Sequence, residues 1–284
     1  MPPAALLLVL FAALCHASWN LVVKADPRRL EIQSGALVVG TLICAPALVV
    51  YSPFQMPARA WALVLVSAAF ETGYVLALSA GYAAGELSLV YPVARGSAPV
   101  LVAPLAVLLL GERLSLQGVA GIGLVVVGIL TSHGALAGLA VAHGQRHALG
   151  WALLTGVFIA GYSLVNKVAV GVVPVPLYAF WVFFADAVLV FATRWFWLGT
   201  ARVSGQRAPW GRTAAVGVLM MSAYLAVLSA MSLAPVSYVV AAREVSIVAA
   251  AVLGVLLLRE RHSGSRIAGA LLIFGGLCLI ALAR

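Results

Sequence analysis

Residues 91–113, YPVARGSAPVLVAPLAVLLLGER, return in outline at 239–261 as VVAAREVSIVAAAVLGVLLLRER, so a shift of 148 lays Arg95 on Arg243, Glu112 on Glu260 and Arg113 on Arg261. Each copy holds an arginine inside an apolar run that stops at an acid–base pair. Two further segments repeat. WNLVVK at 19–24 matches YSLVNK at 162–167 at a shift of 143, and LSA at 78–80 matches 228–230 at a shift of 150, which also pairs Tyr74 with Tyr224 and Thr72 with Ser222. Self-similarity at one long offset restricts the chain to a fold made of two copies of one unit.

What each unit is follows from polarity. The 284 residues are 64% hydrophobic and 9% charged, against roughly 25% charged in a soluble domain. Apolar runs of near-spanning length fall at about 4–23, 35–52, 60–83, 87–110 and 116–132, and again at about 149–171, 175–198, 212–233, 236–258 and 265–282. A helix needs roughly 20 residues to cross the hydrocarbon core, so the expected fold is an all-α membrane protein of ten transmembrane helices. Five spans per copy is an odd number, which sends the second copy into the membrane from the opposite side. The expected organisation is a first repeat at 1–132, a linker at 133–148 and a second repeat at 149–284. The first run has the length of a signal peptide, but it lacks a basic leader and recurs in the body of the chain, so it reads as span 1.

The formal charge of +9 is spread over short loops rather than gathered in a patch, which argues for topology signals and against a nucleic-acid partner. Loops after the odd-numbered spans hold eleven Lys and Arg residues, including Arg28, Arg146, Arg212 and Arg266; the opposite face holds four, Arg59, Arg113, Lys167 and Arg284. By the positive-inside rule both termini are expected outside the cytoplasm. Cys15, Cys44 and Cys278 lie in apolar runs without metal or redox spacing and read as buried thiols. Glycines of spans 5 and 10 read as close-packing positions. Pro46, Pro92, Pro99 and Pro104 lead us to expect bent or unwound segments in spans 2 and 4. Trp61, Trp151, Trp195, Trp197 and Trp210 read as interface anchors, and the Glu112-Arg113 and Glu260-Arg261 pairs as solvated helix ends.

Five charged residues fall inside spans: Glu71, Arg95, Asp186, Arg243 and Glu244. Each costs roughly 2.5 to 3.5 kcal/mol at a helix centre on insertion scales, so each needs a partner or a wet cavity. Helical spacing sets Glu71 with Tyr74, Tyr91 with Arg95, and His16 with Trp19, Asn20 and Val23, each set on one expected inward face. Two readings stay open for the arginines: contact with an anionic solute, or internal pairing with Glu71 and Glu244 that only holds helices together. His16, Glu71, Asp186 and Glu244 are candidate proton or charge partners. No protease, hydrolase, P-loop or metal motif is present, so neither an enzyme nor a cofactor is expected.

Ten spans in two repeats, a fourth span ending in LLLGER or LLLRER, a glycine-rich fifth span, and the HASWN, YPVARG and AARE segments together resemble the drug/metabolite transporter superfamily, EamA branch. That resemblance implies an inner-membrane carrier, commonly an exporter of amino acids or other small metabolites, with some relatives accompanying phosphonate use. It places a central cavity on Trp19, Asn20, Glu71, Tyr74, Tyr91, Arg95, Tyr162, Tyr224, Tyr238 and Arg243, with spans 5 and 10 at the periphery. The expected function is alternating-access transport of a small polar metabolite, of the amino-acid, organic-anion or phosphonate class. Rival expectations are a flippase for a lipid-linked polar head group and a non-transport membrane subunit or receptor. The implied partners are a small-molecule substrate and the bilayer; a monomer suffices and an oligomer is compatible.

Overall fold

The computed structural model describes residues 1–24, 26, 28–52, 56–85, 87–132, 146–198, 209–249 and 264–283. In hydrocarbon every backbone N–H must be satisfied within its own segment, and the chain answers with helices. The first half forms α1 (Pro3–Lys24), α2 (Arg29–Cys44), α3 (Ala47–Val50), α4 (Ala58–Ala84), α5 (Leu87–Leu110) and α6 (Leu116–Ser132). The second forms α7 (Arg146–Ala169), α8 (Val175–Leu198), α9 (Trp210–Leu233), α10 (Val236–Ala242) and α11 (Gly264–Leu282). Seven described segments are long and apolar enough to cross a membrane, and α6 and α11 supply shorter apolar stretches. The ninth span is described as far as residue 249; linker residues 133–145, Glu260 and Arg261 lie outside the described residues, and residues 146–148, expected in the linker, open α7.

Pro46 separates α2 from α3, as its missing N–H requires. Of the bending or unwinding expected of α5, the unwinding is corrected: Pro92, Pro99 and Pro104 all lie inside one continuous helix. The irregularity sits instead in the equivalent span of the second half, where a turn at Arg243 and Glu244 separates α10 from helical residues 245–249. There the N–H groups of Glu244, Ser246 and Ile247 reach back three residues rather than four, at 3.2, 3.0 and 2.9 Å. Two adjacent charged side chains, rather than a proline, mark the break.

The halves interleave. Helix α1 packs on α9 and α4 on α7, so the first helix of each half lies against the third helix of the other. Helix α2 bridges α8 and α9, and α6 pairs with α11 at one edge. A Cβ on Gly121 would stand 2.8 Å from Gly276 O, and one on Gly276 would stand 2.6 Å from Gly121 O. Only glycine permits that approach, which agrees with the packing reading of these positions. Cys278, expected buried, is exposed on the outer side of α11, whereas Cys15 and Cys44 are buried. Trp61 is no simple anchor: it packs edge-on against Trp181 at 4.7 Å. Trp151 and Trp210 are exposed as anchors would be, and the side chains of Trp195 and Trp197 lie outside the described residues.

The two ends of the bundle are tied differently. Where α1 ends and α2 begins, buried Asp26 accepts from Arg28 Nε at 3.0 Å and from Arg212 Nη1 at 2.7 Å, joining that turn to the start of α9. Hydrogen bonds from Arg28, side chain and backbone, hold the Asp26 carboxyl well below the usual carboxylate range, with Arg212 adding to the effect. At the opposite end Gly111 adopts φ +68 after the last turn of α5, a conformation glycine supplies at helix C-termini. That turn aims Glu112 at the other half. Its carboxylate accepts from Val236 N at 2.5 Å, Ser237 N at 3.3 Å and Ser237 Oγ at 2.7 Å, capping α10. The solvated-end reading of Glu112 is therefore corrected, because unpaired N–H groups at a helix start attract a carboxylate more strongly than a short surface pair does. Lys167 Nζ donates nearby to Met231 O at 2.6 Å and Ala234 O at 2.9 Å, closing the end of α9.

Candidate functional site

Between these ends lies a cavity of about 500 Å³, within the range of small-molecule sites. Its wall takes His16, Trp19 and Val23 from α1, Gln33 and Ser34 from α2, and Glu71, Thr72, Tyr74, Ser79 and Tyr82 from α4. Arg95 comes from α5, Tyr162 and Asn166 from α7, Asp186 from α8, Tyr224 from α9, and Arg243 and Ser246 from the broken ninth span. Most lining residues of α1, α2, α4 and α8 lie from mid-helix toward the Asp26 end. Toward the Glu112 end, Ala5, Val9, Val102, Ala106, Val236 and residues 238–242 form a buried apolar cluster. The polar space is thus continuous with one half of the bundle and packed off from the other.

Two polar clusters face it. In the first, Arg95 Nε donates to Glu244 Oε2 at 3.0 Å, both side chains being buried. Arg243 Nε stands 3.7 Å from Glu244 Oε1, while Arg243 Nη2 donates to Tyr162 OH at 2.8 Å and the guanidinium carbon lies 5.8 Å from that ring's centroid. Tyr74 meets Tyr162 edge-on at 6.2 Å. Two arginines share one carboxylate, which leaves this cluster a net positive charge. Arg243 Nε has no hydrogen-bond partner, and a guanidinium carries five donors.

In the second, Glu71 Oε1 accepts from Tyr224 OH at 3.1 Å and lies 3.3 Å from Ser67 Oγ. Asn166 anchors the group: its Oδ1 accepts from Ser67 Oγ at 2.7 Å and Tyr178 OH at 2.6 Å, and its Nδ2 donates to Tyr224 OH at 3.3 Å. Of the internal pairing that one reading expected, the Glu244 part is therefore present and the Glu71 part is not, among the described residues. Glu244 alone serves both guanidinium groups among the described residues. Asp186 is on the same wall, buried.

Of the residues singled out by sequence, Trp19, Glu71, Tyr74, Arg95, Tyr162, Tyr224 and Arg243 line the cavity, with His16 and Asp186. Asn20 is exposed and donates to His16 O at 2.7 Å. Tyr91 is half-buried and outside the lining. Tyr238 sits at the Glu112 end, where its hydroxyl accepts from Ser115 N at 3.0 Å. Glu244 is fully buried behind the arginines. Asn166, Ser67 and Tyr178 were missed. The signal for Asn166 was a broken match, since the repeat lays it on Val23 and a polar residue where its copy is apolar marks a local requirement.

A family model described as the EamA-like transporter family matches residues 3–132 and 147–282. No curated protein matches the chain. A solved structure described only as "Crystal structure of protein" superimposes with a TM-score of 0.79, covering 99% of each chain at 20% identity. At that identity the likeness speaks to the fold alone.

Proposed function

Because this chain belongs to the EamA-like transporter family, whose model matches it twice, we propose that it is an alternating-access carrier of a small polar metabolite bearing an anionic group. The substrate class is amino acid, organic anion or phosphonate, and the membrane is the bacterial inner membrane. The observation that supports this reading is Arg243: it lines the cavity, keeps a donor without a hydrogen-bond partner and shares its counter-ion with Arg95. Arg243 contacts the anion directly. Arg95, held by Glu244, contributes its field from the wall. Tyr74, Tyr162 and Trp19 shape the space, and Glu71 or Asp186 receives an amine or a proton.

The direction follows from charge. The cavity reaches toward the end that carries the majority of Lys and Arg in the sequence, which is the cytoplasmic end by the positive-inside rule. A site loaded from the cytoplasm suits an exporter, with both termini periplasmic. Residues of both halves meet around one cavity, so a monomer is sufficient.

The test is a ligand-induced thermal-shift screen of the purified protein with amino acids, phosphonates, organic anions, amphipathic cations and lipid-linked sugars, repeated on Arg243→Ala. Stabilisation by carboxylates or phosphonates, lost in the variant, is the expected result. Stabilisation by cations alone, unchanged in the variant, overturns the anion contact, and a response confined to lipid-linked sugars moves the assignment to a flippase.

A further inference from the structure

The end of the bundle away from the cavity mouth is held by contacts of a different kind from the apolar cluster beneath them. Helix α9 stops at Leu233 and α10 starts at Val236, so Ala234 and Pro235 form a two-residue corner. A corner of this kind presents the last carbonyls of one helix and the first N–H groups of the next, the negative and positive ends of two backbone dipoles. A charge of opposite sign meets each. Lys167 Nζ, at the end of α7, donates to Met231 O at 2.6 Å and Ala234 O at 2.9 Å. Glu112, aimed by the Gly111 turn, accepts from Val236 N, Ser237 N and Ser237 Oγ. Inside the first turn of α10, Tyr238 OH accepts from Ser115 N at 3.0 Å while Ser115 Oγ accepts from Gly118 N at 3.2 Å, so the same corner also caps the start of α6. Gly118 is required there, because a Cβ would collide with the Tyr238 ring.

A second observation ties the corner to the cavity. Met231 lines the cavity, and the carbonyl of this same residue is one of the two that Lys167 holds. Val227, one turn earlier on α9, lines it too. The last turns of α9 are therefore part of the cavity floor, and the corner fixes where they end. The charged members of that fixture are a carboxylate and an ammonium at the end of the bundle, where water solvates both once the contacts part. Exchanging such hydrogen bonds for water has a small net cost, so the contacts can open and re-form.

We propose that Glu112, Lys167 and Tyr238 form a releasable clasp on the Ala234–Pro235 corner, and that this clasp holds the cavity shut at the Glu112 end. Releasing it frees the end of α9, and Met231 with it, to leave the floor. The clasp thereby sets which end of the cavity is open. That its opening lets a solute out rests on the carrier reading; that it controls access to the cavity does not.

The test needs no solute. Val227→Cys, in a chain with Cys15, Cys44 and Cys278 replaced by Ala, puts a thiol on the cavity floor, and a charged, membrane-impermeant methanethiosulfonate is added to sealed vesicles from one side at a time. With the clasp intact, labelling should be several-fold slower from the Glu112 side than from the Asp26 side. Glu112→Ala and Lys167→Met should each raise the Glu112-side rate several-fold without raising the Asp26-side rate, and Glu112→Gln, whose amide oxygen still accepts, should lie between. Equal rates from both sides with the clasp intact, unchanged rates in the variants, or a rise from both sides alike, which is general loosening, overturns the clasp. Tyr238→Phe removes only the hydroxyl and is read in the same way if the charge variants do not fold. A rise confined to the Glu112 side, with no ligand found in the thermal-shift screen, upholds the clasp and counts against the carrier reading alone.

Discussion

Arg95 Nε donates to Glu244 Oε2 across 3.0 Å, with the two side chains 6% and 1% exposed. The residues stand 149 positions apart, and Glu244 is the immediate neighbour of Arg243, the repeat partner of Arg95. The duplication therefore places two arginines around a carboxylate that only one copy possesses, since the position matching Glu244 is Gly96. This asymmetry separates the two arginines: Arg95 is fixed by the strong bond and Arg243 by the long one.

Removing that carboxylate should be severe. Glu244→Gln leaves the buried Arg95 and the half-buried Arg243 without a counter-charge, and breaking a buried pair costs about 3–5 kcal/mol. Thermal unfolding in detergent should show a large drop in Tm, larger than that of Glu71→Gln, whose neighbours are neutral donors and one acid. Equal drops would argue against Glu244 as the shared counter-ion.

Glu112→Ala should cost about 1–2 kcal/mol, the value of a lost helix cap with buried N–H groups. The loss is local to the start of α10, so amide exchange at Val236 and Ser237 should accelerate more than elsewhere. Unchanged exchange there would remove the capping role.

Gly276→Val should destabilise by about 1–3 kcal/mol through overpacking, because a Cβ there stands 2.6 Å from Gly121 O and 2.7 Å from Val125 Cγ2. Gly123, whose Cβ would meet nothing within 4 Å, is the control. Gly123→Val with an equal loss of Tm would contradict the α6–α11 packing.

Asp26 should give the protein an acid-sensitive stability. Its folded carboxyl is held below its ordinary value by Arg28 and Arg212, so its contribution is complete above the unfolded value of about 3.9. As pH falls through the lower folded value the proton binds and the contribution is lost. The Tm difference between wild type and Asp26→Asn should be constant from pH 7 to about 5 and shrink below about pH 4. A difference that grows on acidification would reverse the assignment.

Much of the fold was legible because the bilayer leaves few choices. The runs ending at Lys24, Leu110, Ser132 and Leu233 were readable as spans, since a helix must be about 20 residues long and internally bonded. Gly121, Gly128, Gly269 and Gly276 were readable as packing positions of α6 and α11, whereas Gly123 and Gly264 face open space. The candidate site was legible in its residue types, less so in its pairings. Tyr74, Tyr162 and Tyr224 were visible through the repeat, but Asn166 was hidden because its copy is Val23. Prolines pointed to bent or unwound backbone in α5, whereas the described chain leaves regular helix at Arg243 and Glu244, two adjacent charged residues.

By itself the sequence determined an all-helical membrane fold, duplicated and inverted, because hydropathy, span length and an odd number of spans per repeat are local or additive properties. Only the tertiary structure decided that Glu244 rather than Glu71 serves the arginines, that Glu112 caps the other half, and that Asp186 and Glu71 line one cavity. The Glu244 and Glu112 contacts join the two halves where α5 and the turn after it meet α10 and the break beyond it. Helical periodicity says which residues share a face; it does not say which face of another helix they meet.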